Sequence, residues 1–597
     1  MNGIGVIAVT ARGRAAAERL VAAWPGEARH VTAERPADAL RAAFTECGAV
    51  VSFLAIGATV RVLAPLLADK TADTPVVCVD EATQHAVAVL GGHHGANDLA
   101  HRVSEVLGSR PVVTTASDAV SVTPLDSYGD DAGLTIEDRG PLAAVGAAVL
   151  SGEAVRIEGA GEWPLPPLPD NVAPAVPADR AAAVVRVSDR TGEAAAPGVP
   201  TLTYRPPSLV VGVGAARGVS AGEVGRLVDQ TLRDEGLAPG SVRGVATVDL
   251  KADEEGILAA ARERGWEVTC YPAADLSGME VPNPSETVRA EVGTPSVAEA
   301  AALRCAAEAG RGGGAVAGAG EGVRGSDIGA ELVAAKRKSD NATAAVARLA
   351  PRGRLAVVGL GPGARDLATP RAVAELRRAS VVVGLDQYLD QVRDLLRPGT
   401  RVVASGLGQE EERARTAVEE ARTGAAVALI GSGDAGVYAM ASPALDFAGA
   451  DIDVVGVPGI TAAVSASNLL GAPLGHDHAY ISLSDLHTPW EAIERRLRAA
   501  AEGDFTVCFY NPRSKKRDWQ LTRALEILAE HRPPDTPVGH VRQASREGER
   551  ATMSTLDRML AGGVDDVDMF TVVIVGSSAS RTVAGRFVTP RGYRWSG

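Results

Sequence analysis

Cysteine is scarce in this chain: five residues in 597, at positions 47, 78, 270, 305 and 508, none in a CxxC pair. Thiolate zinc sites and iron–sulfur clusters need grouped sulfurs, so both are excluded, no metal site is expected, and the thiols read as buried and reduced. Long apolar runs are missing too, none reaching the roughly 18 residues that a membrane-crossing helix needs. The opening residues, MNGIGVIAVTARGR, read as a short strand and lack the charged leader and long apolar stretch of a signal peptide. A cytoplasmic protein without a membrane partner is therefore expected. Positive charge is in deficit, 60 Lys and Arg against 74 Asp and Glu, for a net charge of -14. Such a surface repels phosphate backbones, and nucleic acid is not an expected partner.

What is present is the composition of a folded protein, 46% hydrophobic and 22% charged. The length exceeds what one core supports and predicts roughly three to five domains. Short β-branched runs alternate with Ala/Arg/Glu-rich stretches of helical period, which predicts a multidomain α/β chain with parallel sheets. A first unit, residues 1–125, has strands predicted at 3–9, 49–54, 75–79 and 111–115. Residues 126–206 contain PLPPLPDNVAPAVP and read as a linker or small bridging module with one strand at 183–187. A second α/β unit, 207–348, opens with SLVVGVGAARG and carries a glycine run at 310–322, expected to be a mobile loop. The segment ARLAPRGR marks a boundary, and two lobes follow, 353–475 and 476–597.

Three motifs of the C-terminal third carry chemistry. In VVGLGPGARDLATP, Gly359, Gly361 and Gly363 follow a strand, where the missing Cβ permits close approach to a ligand. The spacing Gly359-x-Gly361-x-x-Ala364, with Asp386 about one βαβ unit later, also fits a dinucleotide fingerprint. Against that reading, Pro362 offers no amide, and the next helix is predicted to start only at Thr369-Pro370, an N-cap followed by proline. In VALIGSGDAGVY a buried strand runs into Gly431, Ser432, Gly433, Asp434, Ala435, Gly436, Val437 and Tyr438, and VVGVPGITAAVSAS places Thr461 at a further strand end. Each turn alone is equally a structural one; three together predict a cofactor crevice at the carboxyl edge of one sheet. Downstream of the strand FTVCFYNP, Arg513, Lys515, Lys516 and Arg517 form a cationic island in an acidic protein, which Arg542 and Arg546 extend. Grouped guanidinium and ammonium groups suit carboxylates, the alternative being a solvated basic loop.

Taken in order, GLGPG, GSGDAGVY, PGITA, GAPLGHD, ISLSDLHTPW, FYNPRSKKRDWQL, TPVGHVRQASREGE and VDMFTVVIVG resemble the precorrin-3B C(17)-methyltransferases of the tetrapyrrole methylase superfamily, over residues 354–586. The resemblance implies two α/β lobes, S-adenosylmethionine folded in the cleft between them, a corrin-type tetrapyrrole substrate, and a homodimer formed through this unit. Carried over by residue, cofactor binding falls to Gly361, Pro362, Gly363, Gly431, Gly433, Asp434, Gly436, Val437, Tyr438, Thr461, Ala462, Tyr510 and Asn511. Substrate carboxylates fall to Arg513, Lys515, Lys516, Arg517, Arg542 and Arg546. The implied reaction couples methylation to ring contraction with lactone formation, and its candidate proton carriers are Asp434, His476, His478, Asp485, His487 and Tyr510. An acceptor carbon activated by an enamine-like system needs in-line placement of the methyl group more than a base. The sequence departs from the pattern at His478, His487 and Gln543-Ala544-Ser545, all bearing on ring contacts.

Further upstream, FLAIGATVRVLAPLLADK, VVCVDEATQHAVAVLGGHHGANDLA and VVTTASD, then LVVGVGAARGVS, VDLKADEEG, NPSETV and VGTPSVAEAAAL, resemble the CbiG family of cobalamin biosynthesis, over residues 3–346. That resemblance implies hydrolysis of the cobalt-precorrin-5A lactone with release of acetaldehyde. Such a hydrolase activates water and stabilises an oxyanion. The segment Gly91-Gly92-His93-His94-Gly95-Ala96-Asn97 offers His93 or His94 as base, with Asn97, Arg61 or Lys70 for anions; a capped turn with solvent-facing histidines is the alternative. Ala215 stands where cysteine is common in that family. Three readings result: a bifunctional methyltransferase and hydrolase, a methyltransferase with a noncatalytic binding module, and a nicotinamide-dependent oxidoreductase built on the Gly359 loop.

Overall fold

The computed structural model describes residues 3–68, 73–92, 95–114, 120–192, 197–310, 329–514 and 517–592. His93, His94, Lys70, Lys515, Lys516 and the glycine run beyond Gly310 lie outside the described residues.

The first sheet has the strand order Ala28–His30, Ile4–Ile7, Ala49–Ser52, Val76–Val79, His85–Leu90, Arg110–Val112. Its fifth strand runs antiparallel to the fourth, Val79 pairing with Ala86, so the expectation of a purely parallel sheet is corrected here. The proline-rich stretch contributes to a five-stranded sheet of its own, which includes Val155–Glu158, Ala183–Val187 and Thr201–Arg205 around a core holding Tyr204 and Leu202. A third sheet orders Glu267–Tyr271, Val242–Val248, Leu209–Ala215, Ala342–Leu349 and Ala330–Lys338, the last two joined antiparallel.

Two lobes follow. The sheet of the first is entirely parallel, ordered Arg401–Ser405, Val381–Leu385, Ala426–Gly431, Arg354–Gly359, Asp453–Val457. Val381–Leu385 and Ala426–Gly431 are buried along their whole length, as strands covered by helices on both faces must be. Thr369 caps the helix Pro370–Arg378 by accepting the Ala372 amide, and Arg377 and Arg378 close its last turn, where cations suit the helix dipole. The helix Glu410–Arg422 opens with three glutamates and ends on Arg422 for the same reason.

The second lobe carries the order His478–Ser482, Thr506–Tyr510, Thr571–Val575, Pro537–Arg542, Arg550–Thr555, in which only the first pair is parallel. Antiparallel strands covered on both faces read as unbroken apolar runs, TVVIV being buried throughout, and so are indistinguishable in sequence from parallel ones.

Residues 123–168 dock on the first lobe at the amino ends of its strands. A Cβ built at Gly399 would lie 1.8 Å from the Leu168 carbonyl oxygen, and one at Gly424 2.6 Å from that of Glu162. Arg378 pairs with Asp131 at 3.3 Å and Arg397 donates to Thr123 Oγ1 at 3.1 Å.

Candidate active site

Three loops leave the carboxyl ends of three adjacent first-lobe strands, and the carboxylate of Asp434 ties two of them together. Its Oδ1 accepts the Gly436 amide at 2.8 Å and its Oδ2 the Gly459 amide at 3.0 Å. The third loop joins through a backbone bridge: Gly361 donates to Gly433 O at 3.0 Å and Gly433 donates back to Gly361 O at 2.8 Å. Glycine is obligatory at Gly359, where a Cβ would sit 2.7 Å from Gly433 O and 2.8 Å from Gly459 N. Gly361 adopts φ +79, a left-handed conformation that glycine reaches at no steric cost.

Between these loops and the second lobe lies a cavity of about 270 Å³. Of the expected residues, Pro362, Gly433, Val437, Tyr438, Thr461, Ala462, Tyr510, Asn511 and Arg546 line it. Its wall also includes Gln387, Leu407, Ser432, Ala544, Phe570 and Thr571. Ser432 and Ala544 lie in segments that the sequence itself singles out, whereas Gln387, Leu407, Phe570 and Thr571 were missed as site residues, because only folding brings them to the cleft.

The second lobe contributes Tyr510, at the end of a buried strand. Its hydroxyl accepts the Ala463 amide at 3.0 Å and hydrogen-bonds the Thr461 hydroxyl at 2.5 Å, so it caps the helix Ala462–Leu470 in place of the Thr461 side chain. Burial pushes the phenol well above its ordinary value, and it stays protonated near neutrality. Tyr438, at φ +52 and 53% exposed, crosses from the first lobe: its hydroxyl donates to Tyr480 O at 2.8 Å and accepts the Ser482 amide at 3.2 Å. The rings of Tyr438 and Tyr510 lie 5.2 Å apart. Arg546 crosses in the other direction, Nε donating to Pro362 O at 2.7 Å and Nη2 to Ser432 Oγ at 2.6 Å.

Other expected residues lie outside the cavity lining. His476 is exposed and its Nδ1 accepts the Asp477 amide at 2.7 Å. His478 and His487 are exposed as well. Asp485 accepts from Gln520 Nε2 at 2.9 Å. The cationic island is partly engaged by protein: Arg513 donates to Val564 O at 2.7 Å and pairs with Asp565, and Arg542 donates to Asp568 at 2.8 Å. Arg517 reaches Ser484 Oγ at 3.2 Å, and burial lowers its pKa against the opposing effect of Asp485. Among the described residues no group of three or more His, Cys, Asp or Glu is arranged to hold a metal ion, and no helix is long and apolar enough to cross a membrane.

Comparison with known proteins follows this division of the chain. Residues 38–118 match the model "Cobalamin synthesis G N-terminal", residues 209–347 "Cobalamin synthesis G C-terminus", and residues 354–560 "Tetrapyrrole (Corrin/Porphyrin) Methylases". A probable cobalt-factor III C(17)-methyltransferase of Salmonella typhimurium is 44% identical over 242 residues, 40% of this chain and 99% of that protein. A precorrin-3B C(17)-methyltransferase of Sinorhizobium sp. is 41% identical over 237 residues, 39% of this chain and 91% of its own length. The solved structure of the methyltransferase CobJ shares 39% identity and covers 40% of this chain and 100% of its own, with a TM-score of 0.37. With its glycine loops at the sheet edge and a relative matched over nearly its full length, the C-terminal part of this chain belongs to the tetrapyrrole (corrin/porphyrin) methylases, preceded here by segments that match the two cobalamin synthesis G models.

Proposed function

We propose that residues 353–597 transfer a methyl group from S-adenosylmethionine to C(17) of precorrin-3B or its cobalt-bearing counterpart, with ring contraction. Residues 1–348, divided near 125 and 206, would supply the lactone-opening hydrolase. The observation that carries the methyltransferase reading is the cleft itself, walled by glycine loops and by tyrosines and holding, among its described lining residues, a single charged side chain, Arg546.

The residues present fit the cofactor. S-adenosylmethionine supplies an electrophilic methyl on a cationic sulfur, and the electron-rich faces of Tyr438 and Tyr510 favour such a cation. Gly361, Pro362, Gly363, Gly431, Gly433, Asp434, Gly436, Val437, Thr461, Ala462 and Asn511 are proposed to hold it with them. Asp434 acts by fixing the loops, since both its oxygens are engaged by amides. Of the expected proton carriers for ring contraction, Asp434, His476, Asp485 and Tyr510, the last lines the cavity and is the one proposed. Arg513, Lys515, Lys516, Arg517, Arg542 and Arg546 are proposed to meet the carboxylate arms of the ring. In the hydrolase part His93 is the proposed base.

The test incubates the full chain with S-adenosylmethionine and precorrin-3B, with and without cobalt, and follows product mass. Gain of one methyl group with loss of the donor's methyl supports the reading; an unchanged ring sinks it. Acetaldehyde released by the full chain from the lactone substrate, and lost in His93→Ala, tests the hydrolase; equal release from both proteins removes His93 from its role.

A further inference from the structure

Arg546 is held in a manner that a solvent-facing substrate ligand would not need. Its Nε and Nη2 bond Pro362 O and Ser432 Oγ, 184 and 114 residues away in sequence and on two different loops of the other lobe. Its stem lies where a side chain at Gly363 would go: a Cβ there would be 2.4 Å from Arg546 Cγ and 2.7 Å from its Nε. The chain bends sharply to aim it, with non-glycine residues Gln543 at φ +50 and Ser545 at φ +61 in the left-handed region. The Arg546 amide closes the turn on Gln543 O at 3.0 Å, and Ser545 is anchored to Ser465 Oγ at 2.8 Å and to Glu549 Oε2 at 2.6 Å. Backbone held in a sparsely populated region persists only where its surroundings over-determine it.

We propose that Arg546 is a positioning residue that sets the separation of the two lobes, and that Gly363 is glycine for two reasons: its backbone adopts φ +145, and the Arg546 stem occupies its side-chain space. The planar fork of guanidinium meets two acceptors at once, which a lysine ammonium on a flexible stem cannot reproduce. Two of its five N–H groups are used by the loops, and the other three remain to meet a carboxylate while the latch is closed. Loop spacing and anion binding are thereby joined in one side chain.

The inference rests on the cleft being the S-adenosylmethionine site, so one readout is independent of any ligand. In the full chain, hydrogen exchange at the Gly361 and Gly433 amides, which bridge the two loops, is expected to quicken about tenfold in Arg546→Ala and in Arg546→Lys alike. Calorimetric affinity for S-adenosylhomocysteine is expected to weaken about tenfold in both variants, with kcat falling more than the KM for tetrapyrrole. Gly363→Ala is expected to weaken binding strongly in the natural chain and at least fivefold less in the Arg546→Ala background, because the clash is gone there and only backbone strain is left. Wild-type exchange in Arg546→Lys, or additive effects of Gly363→Ala and Arg546→Ala, would overturn the latch. If the natural chain binds no S-adenosylhomocysteine, the functional reading of the cleft fails, and the exchange rates alone still decide whether Arg546 holds the loops.

Discussion

The Asp434 carboxylate accepts the backbone amide of Gly459 at 3.0 Å across two loops that are 25 residues apart in sequence. Its other oxygen takes the Gly436 amide, so one side chain fixes the shape of the glycine wall. In Asp434→Asn one oxygen becomes an NH₂ group facing an N–H, at a cost of about 2 kcal/mol. The expected result is a chain that still folds but binds S-adenosylhomocysteine at least tenfold more weakly by calorimetry. Unchanged affinity would remove Asp434 from the cofactor wall.

Tyr510 and Thr461 back each other up. With Tyr510→Phe, the freed Thr461 hydroxyl can turn to cap the Ala463 amide itself, the ordinary N-cap bond that Tyr510 now replaces, so the single change is expected to cost only about 1 kcal/mol. Thr461→Val leaves the tyrosine cap in place and is expected to cost a similar amount. The double variant strands a buried amide and is expected to exceed the sum of the two in thermal unfolding. Additivity would contradict the shared cap.

His540 is 4% exposed, and neither ring nitrogen has a hydrogen-bond partner. Burial lowers its pKa, with Arg550 adding to the effect and Asp566 opposing it. The unfolded chain therefore takes up the proton more readily than the folded one. The stability that the neutral ring contributes is present above the unfolded value of about 6.5 and is lost as pH falls towards the lower folded value. The melting temperature is expected to drop between about pH 7.5 and pH 5.5, and to drop less in His540→Leu, which replaces an unpaired polar ring with an apolar side chain. Parallel curves for the two proteins would show that His540 does not set this dependence.

Arg517 has a partly buried guanidinium and a buried Nε without a hydrogen-bond partner, with Ser484 bound only at Nη1. A carboxylate arm of the ring would complete it. Arg517→Ala is expected to raise the KM for tetrapyrrole about tenfold and leave S-adenosylhomocysteine affinity unchanged. A loss of cofactor affinity instead would place Arg517 in the fold of the cleft.

Local chemistry was legible in the sequence where a residue acts on its neighbours. Thr369-Pro370 announced a helix start, the run at 183–187 a strand, and Gly431 to Tyr438 a turn at a strand end. Strand direction was not, because His85–Leu90 and Thr571–Val575 are apolar runs whichever way they point. The cationic island was legible as charge but not as partners: Asp565 and Asp568, which engage Arg513 and Arg542, are 52 and 26 residues distant. The Arg546 contacts are farther still and leave no local trace beyond glycine at 363.

The glycine seats at Gly399 and Gly424 put the segment around Glu162 and Leu168 against the amino ends of the first-lobe strands, while the cleft opens at their carboxyl ends. That contact and the cleft therefore lie at opposite ends of the same sheet. What the join does guarantee is stoichiometry: each round of translation delivers one copy of every unit, in equal number and at the same moment.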